Sequence, residues 1–312
     1  ENMKIVCLDA ATLGGDADLS EIASLGEFES YEMTEPTQTA QRLADADVVI
    51  TNKVLITDEI MAQTALKLIC VSATGTNNID MQAAQVRGIA VKNVAGYSTN
   101  SVVQQTFASL FALTNALGYY ADYGSGGKWC ESEIFTHIDA PISEIYGKEF
   151  GVIGLGQIGA KVARIAAAFG ANVRYYSTSG ANDNGEFARV SLDALLRACD
   201  IISIHAPLNE KTVGLIGEAE LAKMKEGAIL MNFGRGGIVD EEALARAVDE
   251  RGLRVALDVL QTEPMRTDHP LLRVKNRRNV VITPHIAWAS IEARKRLIKM
   301  MAQNIRDFMS GK

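Results

Sequence analysis

Three side chains that could share one piece of chemistry follow short apolar runs late in the chain: Arg235 in MNFGRGGIVD, Glu263 in ALDVLQTEP and His285 in ITPHIAWAS. An imidazole can give and take a proton near neutral pH, and a neighbouring carboxylate fixes its ring and favours the protonated form. A guanidinium holds a carboxylate or carbonyl oxygen through a planar fork that an ammonium cannot imitate. Together they suit proton transfer to or from an oxygen beside a bound anion. Each also has a plain structural reading. Arg235 could form an ion pair, Glu263 before Pro264 could end a strand, and a lone His after Pro284 could be a satisfied turn residue. It is the placing of all three after successive apolar runs that favours the chemical reading.

Those runs belong to a series that starts near Lys148: KEFGVIGLG, ANVRYYS, DIISIHAP, GAILMNFG, LRVALDVL and NVVITPHI. Helical patterns separate them, including Gln157 to Phe169 and Asp240 to Asp249. Strand and helix in alternation define a parallel sheet covered on both faces, which binds ligands at the carboxyl ends of its strands. An earlier series, KIVCL, DVVIT, LKLICVS and GIAVKN, predicts a second such sheet, with Thr57 and Asp80 near helix starts and Gly88 at a helix end. Thr99 to Tyr120 reads as one long apolar helix. Ala121 to Ile145 is irregular and reads as a connection or an oligomer arm. The amphipathic tail from Ser290 to Phe308 follows the complete second series and is free to pack on the first sheet. The expected plan is α/β, with two Rossmann-like doubly wound domains and an active-site cleft between them. Residues 1–98 and 288–312 form a discontinuous substrate-binding domain, and 99–287 a dinucleotide-binding domain.

Residues 151 to 159, GVIGLGQIG, leave a predicted strand and open a helix. In that context Gly154 permits the tight turn, Gly156 admits a pyrophosphate to the backbone, and Gly159 lets helix and strand approach. The helix start at Gln157 and Ile158 offers free N–H groups to phosphate. About 20 residues on, where an acid would hold the ribose of NAD, the chain reads RYYSTSG. Ser177 and Thr178 could bond a 2′-hydroxyl or a 2′-phosphate, or could simply turn the chain. No Arg follows them directly, so the reading leans to NAD and leaves NADP open.

Taken together, GLGQIG, HAPLNEKTVGLI, GRGGIVDEEAL and TPHIAWAS resemble the D-isomer-specific 2-hydroxyacid dehydrogenases over essentially the whole chain, most of all the glycerate dehydrogenase or hydroxypyruvate reductase branch. The resemblance implies catalytic Arg235, Glu263 and His285, with His285 as the acid in reduction. It implies cofactor contacts from Thr106, His205, Pro207, Thr212, Phe233, Gly234 and Asp258, the last toward the nicotinamide carboxamide. It also brings the backbone of Ala73, Thr74 and Gly75 to the substrate carboxylate. Lys53 is a further candidate there, although a surface lysine is its plainer reading. A homodimer built on the long helix and the Trp129 segment is implied too. The alternatives are an NADH-sensing, corepressor-like binding protein, which the want of charged or low-complexity tails disfavours, and a dehydrogenase for D-lactate or phosphoglycerate.

The composition agrees with a globular protein. Of 312 residues 47% are hydrophobic and 22% charged, and the net charge of −7 disfavours nucleic acid and anionic membranes as partners. The basic run Arg273 to Arg278 lacks aromatic residues and reads as a solvated loop. Cys7, Cys70, Cys130 and Cys199 have no metal or redox spacing and suit a reducing compartment. No apolar run approaches a bilayer span, and Glu1 and Asn2 precede a start at Met3 without a signal-peptide profile. A cytoplasmic protein is the expectation.

Overall fold

The computed structural model describes residues 3–183 and 185–311. Glu1 and Asn2 lie outside the described residues. The chain divides into two compact units, one of residues 1–98 with 289–312 and one of residues 99–288.

In the first unit, β-branched runs become strands β1 (Lys4–Cys7), β3 (Val48–Thr51), β4 (Leu68–Val71) and β5 (Ala90–Lys92), joined by an edge strand, β2 (Glu27–Ser30). The sheet is wholly parallel in the order β2-β1-β3-β4-β5. Residues of β3 and β4 are buried throughout, because helices cover both faces. β2 is absent from the sequence-based expectation. Its residues, EFES, are exposed or half-exposed and present no apolar run, so pairing with β1 rather than burial defines it. Thr57 and Asp80 cap their helices by accepting from the N–H groups of Ile60 and Ala83. The helix Ile291–Met309 buries Ala293, Leu297, Ile298, Met301 and Ile305. Arg306 pairs with Glu21 at 2.8 Å, and Asn304 donates to the Asn93 carbonyl, binding this last helix into the unit.

The second unit holds β6 (Glu149–Ile153), β7 (Asn172–Tyr176), β8 (Ala188–Arg189), β9 (Ile201–Ile204), β10 (Ile229–Asn232), β11 (Arg254–Leu257) and β12 (Val280–Ile282). All pairings are parallel, in the order β12-β11-β10-β9-β6-β7-β8. The order reverses at β6, which opens a crevice between the carboxyl ends of β6 and β9. β8 is the seventh strand, where the sequence predicts six. Two residues are too few to show any periodicity.

The long helix also differs from expectation. It runs Thr99–Asn115, stops where Ala116 adopts φ 48°, and restarts as Leu117–Ser125. Val102, Val103, Phe107, Leu110 and Leu113 pack against Phe150, Val152, Val162 and Tyr175. The left-handed residue re-aims the chain, so Leu117, which falls within the single apolar helix expected over Thr99 to Tyr120, is exposed. Cys7, Cys70 and Cys199 are buried, Cys130 is exposed, and all four are free thiols. Among the described residues no helix is long and apolar enough to cross a membrane. The basic run Arg273–Arg278 is largely exposed, with Arg273 donating to the Asp268 carbonyl and Arg278 paired with Asp139.

Candidate active site

The carboxyl ends of β10, β11 and β12 are adjacent, and they bring Arg235, Glu263 and His285 to one edge of the second sheet. His285 Nδ1 lies 2.6 Å from Glu263 Oε2, with both side chains about one-third exposed. The other carboxylate oxygen accepts from the Leu260 N–H at 2.9 Å, which sets the plane of the acid. A neutral imidazole donating from Nδ1 keeps Nε2 as its second proton-carrying position.

The ring is aimed by its backbone. His285 has φ 53°, a left-handed conformation uncommon for a residue with a Cβ, and its N–H bonds back to the Thr283 carbonyl. Asp258, buried at the end of β11, holds this turn from beneath. It accepts from Thr283 Oγ1 (2.6 Å), Ile286 N (3.0 Å) and Ala287 N (2.9 Å). Trp288 Nε1 donates to the His285 carbonyl. Asp258 therefore has a structural task in this turn, which uses three of the roughly four acceptor positions of its carboxylate.

Arg235 follows β10 and is exposed at the sheet edge. Asn232 braces its loop, donating to the Arg235 carbonyl and accepting from the Gly234 N–H. One guanidinium N–H is bonded to the Gly234 carbonyl at 2.9 Å. A guanidinium has five N–H donors, so four remain, enough for a two-pronged bond to a carboxylate.

The glycine turn after β6 is shaped by close contact at two of its three glycines. A Cβ on Gly154, itself at φ 89°, would sit 3.0 Å from the Ala206 backbone across the crevice, and one on Gly159 would fall 2.0 Å from the Gly154 carbonyl oxygen. Gly156, the residue ahead of the helix Gln157–Ala168, opens onto free space. The first N–H groups of that helix have no partner within it. On the facing strand end, His205 Nδ1 is buried and unpartnered, while Nε2 bonds Ser203 Oγ at 2.8 Å. Burial pushes the His205 pKa down to about 3, so the ring is neutral. Phe233 stacks over it at 6.2 Å. Open backbone donors, a crevice at the strand-order reversal and an orphaned buried acceptor or donor fit a bound dinucleotide.

Two residues expected at the cofactor are engaged elsewhere. Thr212 is fully buried, and its hydroxyl donates to the Pro207 carbonyl at 2.6 Å while accepting from the Asn209 N–H. It staples the loop after β9, and Pro207 acts as one arm of that staple. Thr106 is likewise enclosed, with its hydroxyl bonded to the Val102 carbonyl one turn back in its own helix. At the end of β7, Ser177 Oγ accepts from the N–H groups of Gly180 and Asn182 and so turns the chain. An arginine does reach this turn, although none follows Ser177 directly. Arg189 of β8 donates to the Gly180 carbonyl at 3.0 Å.

In the first unit, the loop after β4 is held by Thr74 Oγ1 on the Val94 carbonyl and by Asn93 Nδ2 on the Thr74 carbonyl. Lys53 is exposed, and its N–H is bound by the buried Asp9 carboxylate, which shapes the loop after β3. Sequence reasoning also missed His269, which lies 2.8 Å from Glu241 in a buried pair whose other carboxylate oxygen accepts from Gln261 N. The pair steadies the loop that carries Glu263. The segment TDHPL contains no signal for it, because the partner lies 28 positions upstream.

A parallel sheet with this strand order, a glycine turn at its reversal point and an arginine beside a carboxylate–imidazole pair define a dinucleotide-dependent oxidoreductase. Residues 107–287 match the family profile described as D-isomer specific 2-hydroxyacid dehydrogenase, NAD binding domain. A Haemophilus influenzae protein assigned provisionally as a 2-hydroxyacid dehydrogenase is 41% identical over 310 residues, covering 98% of each chain. The hydroxypyruvate reductase of Blautia hydrogenotrophica is 37% identical, covering 99% of this chain and 98% of its own. The solved structure of the TT0316 protein from Thermus thermophilus superposes with a TM-score of 0.88 at 29% identity, over 99% of this chain and 98% of that one. The chain belongs to the D-isomer-specific 2-hydroxyacid dehydrogenase family. It is an NAD(P)-dependent oxidoreductase acting on a CH–OH group.

Proposed function

We propose that this enzyme reduces a small 2-oxo acid of the hydroxypyruvate or glyoxylate type to the D-2-hydroxy acid, and catalyses the reverse oxidation. The observation that carries the reading is the His285–Glu263 pair at 2.6 Å, one strand end away from the loop of Arg235. When bound in the crevice beside Gly154, Gly156 and Gly159, a nicotinamide dinucleotide would supply or accept the hydride. Arg235 binds the carboxylate and carbonyl oxygens of the substrate, orienting the carbonyl and stabilising negative charge on its oxygen. His285 delivers a proton from Nε2 to that oxygen, and Glu263 stabilises the imidazolium before transfer and holds the ring afterwards. In oxidation the same atoms act in the opposite sense.

Gly154, Gly156, Gln157, Ile158 and Gly159 are assigned to the pyrophosphate, with His205, Phe233 and Gly234 along the same crevice. The backbone of Ala73, Thr74 and Gly75 is assigned to the substrate carboxylate. A homodimer is proposed through residues 117–146, where Leu117, Trp129, Ile134, Phe135 and Ile138 are exposed in one stretch of chain. A cytoplasmic location is proposed from the four free thiols.

The test is a panel of glyoxylate, hydroxypyruvate, pyruvate and 3-phosphohydroxypyruvate, assayed by NAD(P)H consumption with chiral analysis of the product. The highest kcat/KM should fall on hydroxypyruvate or glyoxylate, with a D product from the former. Preference for pyruvate or the phosphorylated acid would reject the substrate assignment, and an L product would reject the stereochemical one.

A further inference from the structure

The end of β7 is where a dinucleotide-binding sheet meets the adenine ribose, and an acidic residue there selects the 2′-hydroxyl of NAD while repelling a 2′-phosphate. This chain has Ser177 in that place. The hydroxyl of Ser177 accepts from Gly180 N (3.1 Å) and Asn182 N (3.4 Å), and Ser179 Oγ accepts from Ala181 N (3.1 Å), giving a tight turn without a carboxylate at its start.

The cation at this turn comes from the neighbouring strand. β8 pairs with β7 in parallel, with Arg189 opposite Tyr175, two residues before Ser177. From there the exposed side chain reaches forward to the turn, where Nη2 lies 3.0 Å from the Gly180 carbonyl. That bond uses one of five guanidinium N–H groups, leaving the rest for a ligand. Among the described residues Arg189 has no ion-pair partner. The nearby Glu186 is bound to Arg164 at 2.9 Å. Asp183, also exposed, stands farther along the turn.

We propose that Arg189 is the specificity residue for the cofactor, binding a 2′-phosphate on the adenine ribose, so that the enzyme prefers NADP(H) over NAD(H). The proposal rests on dinucleotide binding by this sheet. A guanidinium on the rim of a serine- and threonine-rich turn complements a phosphate dianion, whereas a ribose hydroxyl gains little from the charge. The Ser177 turn carries the half-buried Thr178 and the exposed Ser179, and Arg189 supplies the charge. The arginine lies 12 positions beyond Ser177, so a search for a cation directly after the strand passes over it.

The test is equilibrium binding by calorimetry of NADPH, NADH, 2′,5′-ADP and 5′-AMP to the full chain and to Arg189→Gln, with thermal unfolding of both proteins as a control. The wild type should bind NADPH and 2′,5′-ADP at least about 10-fold more tightly than NADH and 5′-AMP. Arg189→Gln should lose about 10- to 100-fold for the two 2′-phosphorylated ligands and less than about threefold for the others. Equal affinities in the wild type, or equal losses for all four ligands in a variant that unfolds at the wild-type temperature, would overturn the proposal while leaving dinucleotide binding intact. Failure of every nucleotide to bind the wild type would instead remove the reading on which it rests.

Discussion

Gly236 and Leu260 stand so close that a Cβ on the glycine would fall 1.9 Å from the leucine's carbonyl oxygen. The contact joins the loop that carries Arg235 to the loop that carries Glu263, three residues beyond Leu260. Neither loop can move aside alone, because Asn232 braces the first and Glu263 binds the Leu260 N–H in the second. Gly236→Ala should therefore push the two loops apart, costing roughly 1–3 kcal/mol of stability and about 10- to 100-fold in kcat/KM, since a displacement of about 1 Å has that effect on reactions that depend on orientation. Steady-state kinetics with urea denaturation measures both. Unchanged kcat/KM in the alanine variant would show that the spacing of these loops does not govern the reaction.

Replacing Arg235 separates substrate binding from cofactor binding. Arg235→Ala should lower kcat/KM by about 10²- to 10³-fold, with cofactor Kd changed by less than about threefold. Arg235→Lys should recover little, because an ammonium lacks the two-pronged geometry. Cofactor titration by fluorescence, beside kinetics on the preferred 2-oxo acid, distinguishes this from general damage to the site.

Asp258 supports the turn that sets the His285 ring. Asp258→Ala leaves the buried N–H of Ala287 and that of Ile286 without their acceptor, so the expected loss is about 2–5 kcal/mol. Thr283→Val removes one of the three bonds and should cost only about 1 kcal/mol. Kinetics on the folded fraction should show a falling kcat in both, larger for the aspartate. Retention of full kcat by Asp258→Ala would mean that the turn keeps its left-handed form without the carboxylate.

His205 makes stability depend on pH. Its folded pKa is lowered to about 3 by burial, against an ordinary value of 6.5. Between these values the unfolded chain binds a proton that the folded chain does not, so unfolding is favoured as pH falls. The contribution of the neutral ring is present in full above about pH 6.5 and is lost progressively down to about pH 3. His205→Gln should flatten the dependence of unfolding free energy on pH by up to about 1.4 kcal/mol per pH unit in this window. Urea denaturation at pH 7, 6 and 5 measures it, and parallel curves for variant and wild type would contradict the assignment.

The β-branched runs and the glycine turn were legible in the sequence because each is a local pattern, and the position of Arg235, Glu263 and His285 at successive strand ends followed from those runs. Buried parallel strands must be apolar along their length, and a dinucleotide turn must carry glycine wherever a Cβ would meet backbone, as Gly154 and Gly159 do. The strands β2 and β8 were not legible, since pairing with a neighbour and not burial makes them. Thr106 and Thr212, which the family resemblance implies at the cofactor, each have a backbone partner for the hydroxyl, and no local pattern announces those bonds.

The sequence by itself determined the parallel α/β architecture, because periodicity is carried along the chain, and its motifs carried the family resemblance that implies the reaction type. Only the tertiary structure decided which groups meet. Asp258 beneath the His285 turn, Glu241 against His269, and Arg189 beside the Ser177 turn all join residues nine or more positions apart in the chain. Such pairs form through sheet order and loop packing, and neither member's local sequence specifies the other.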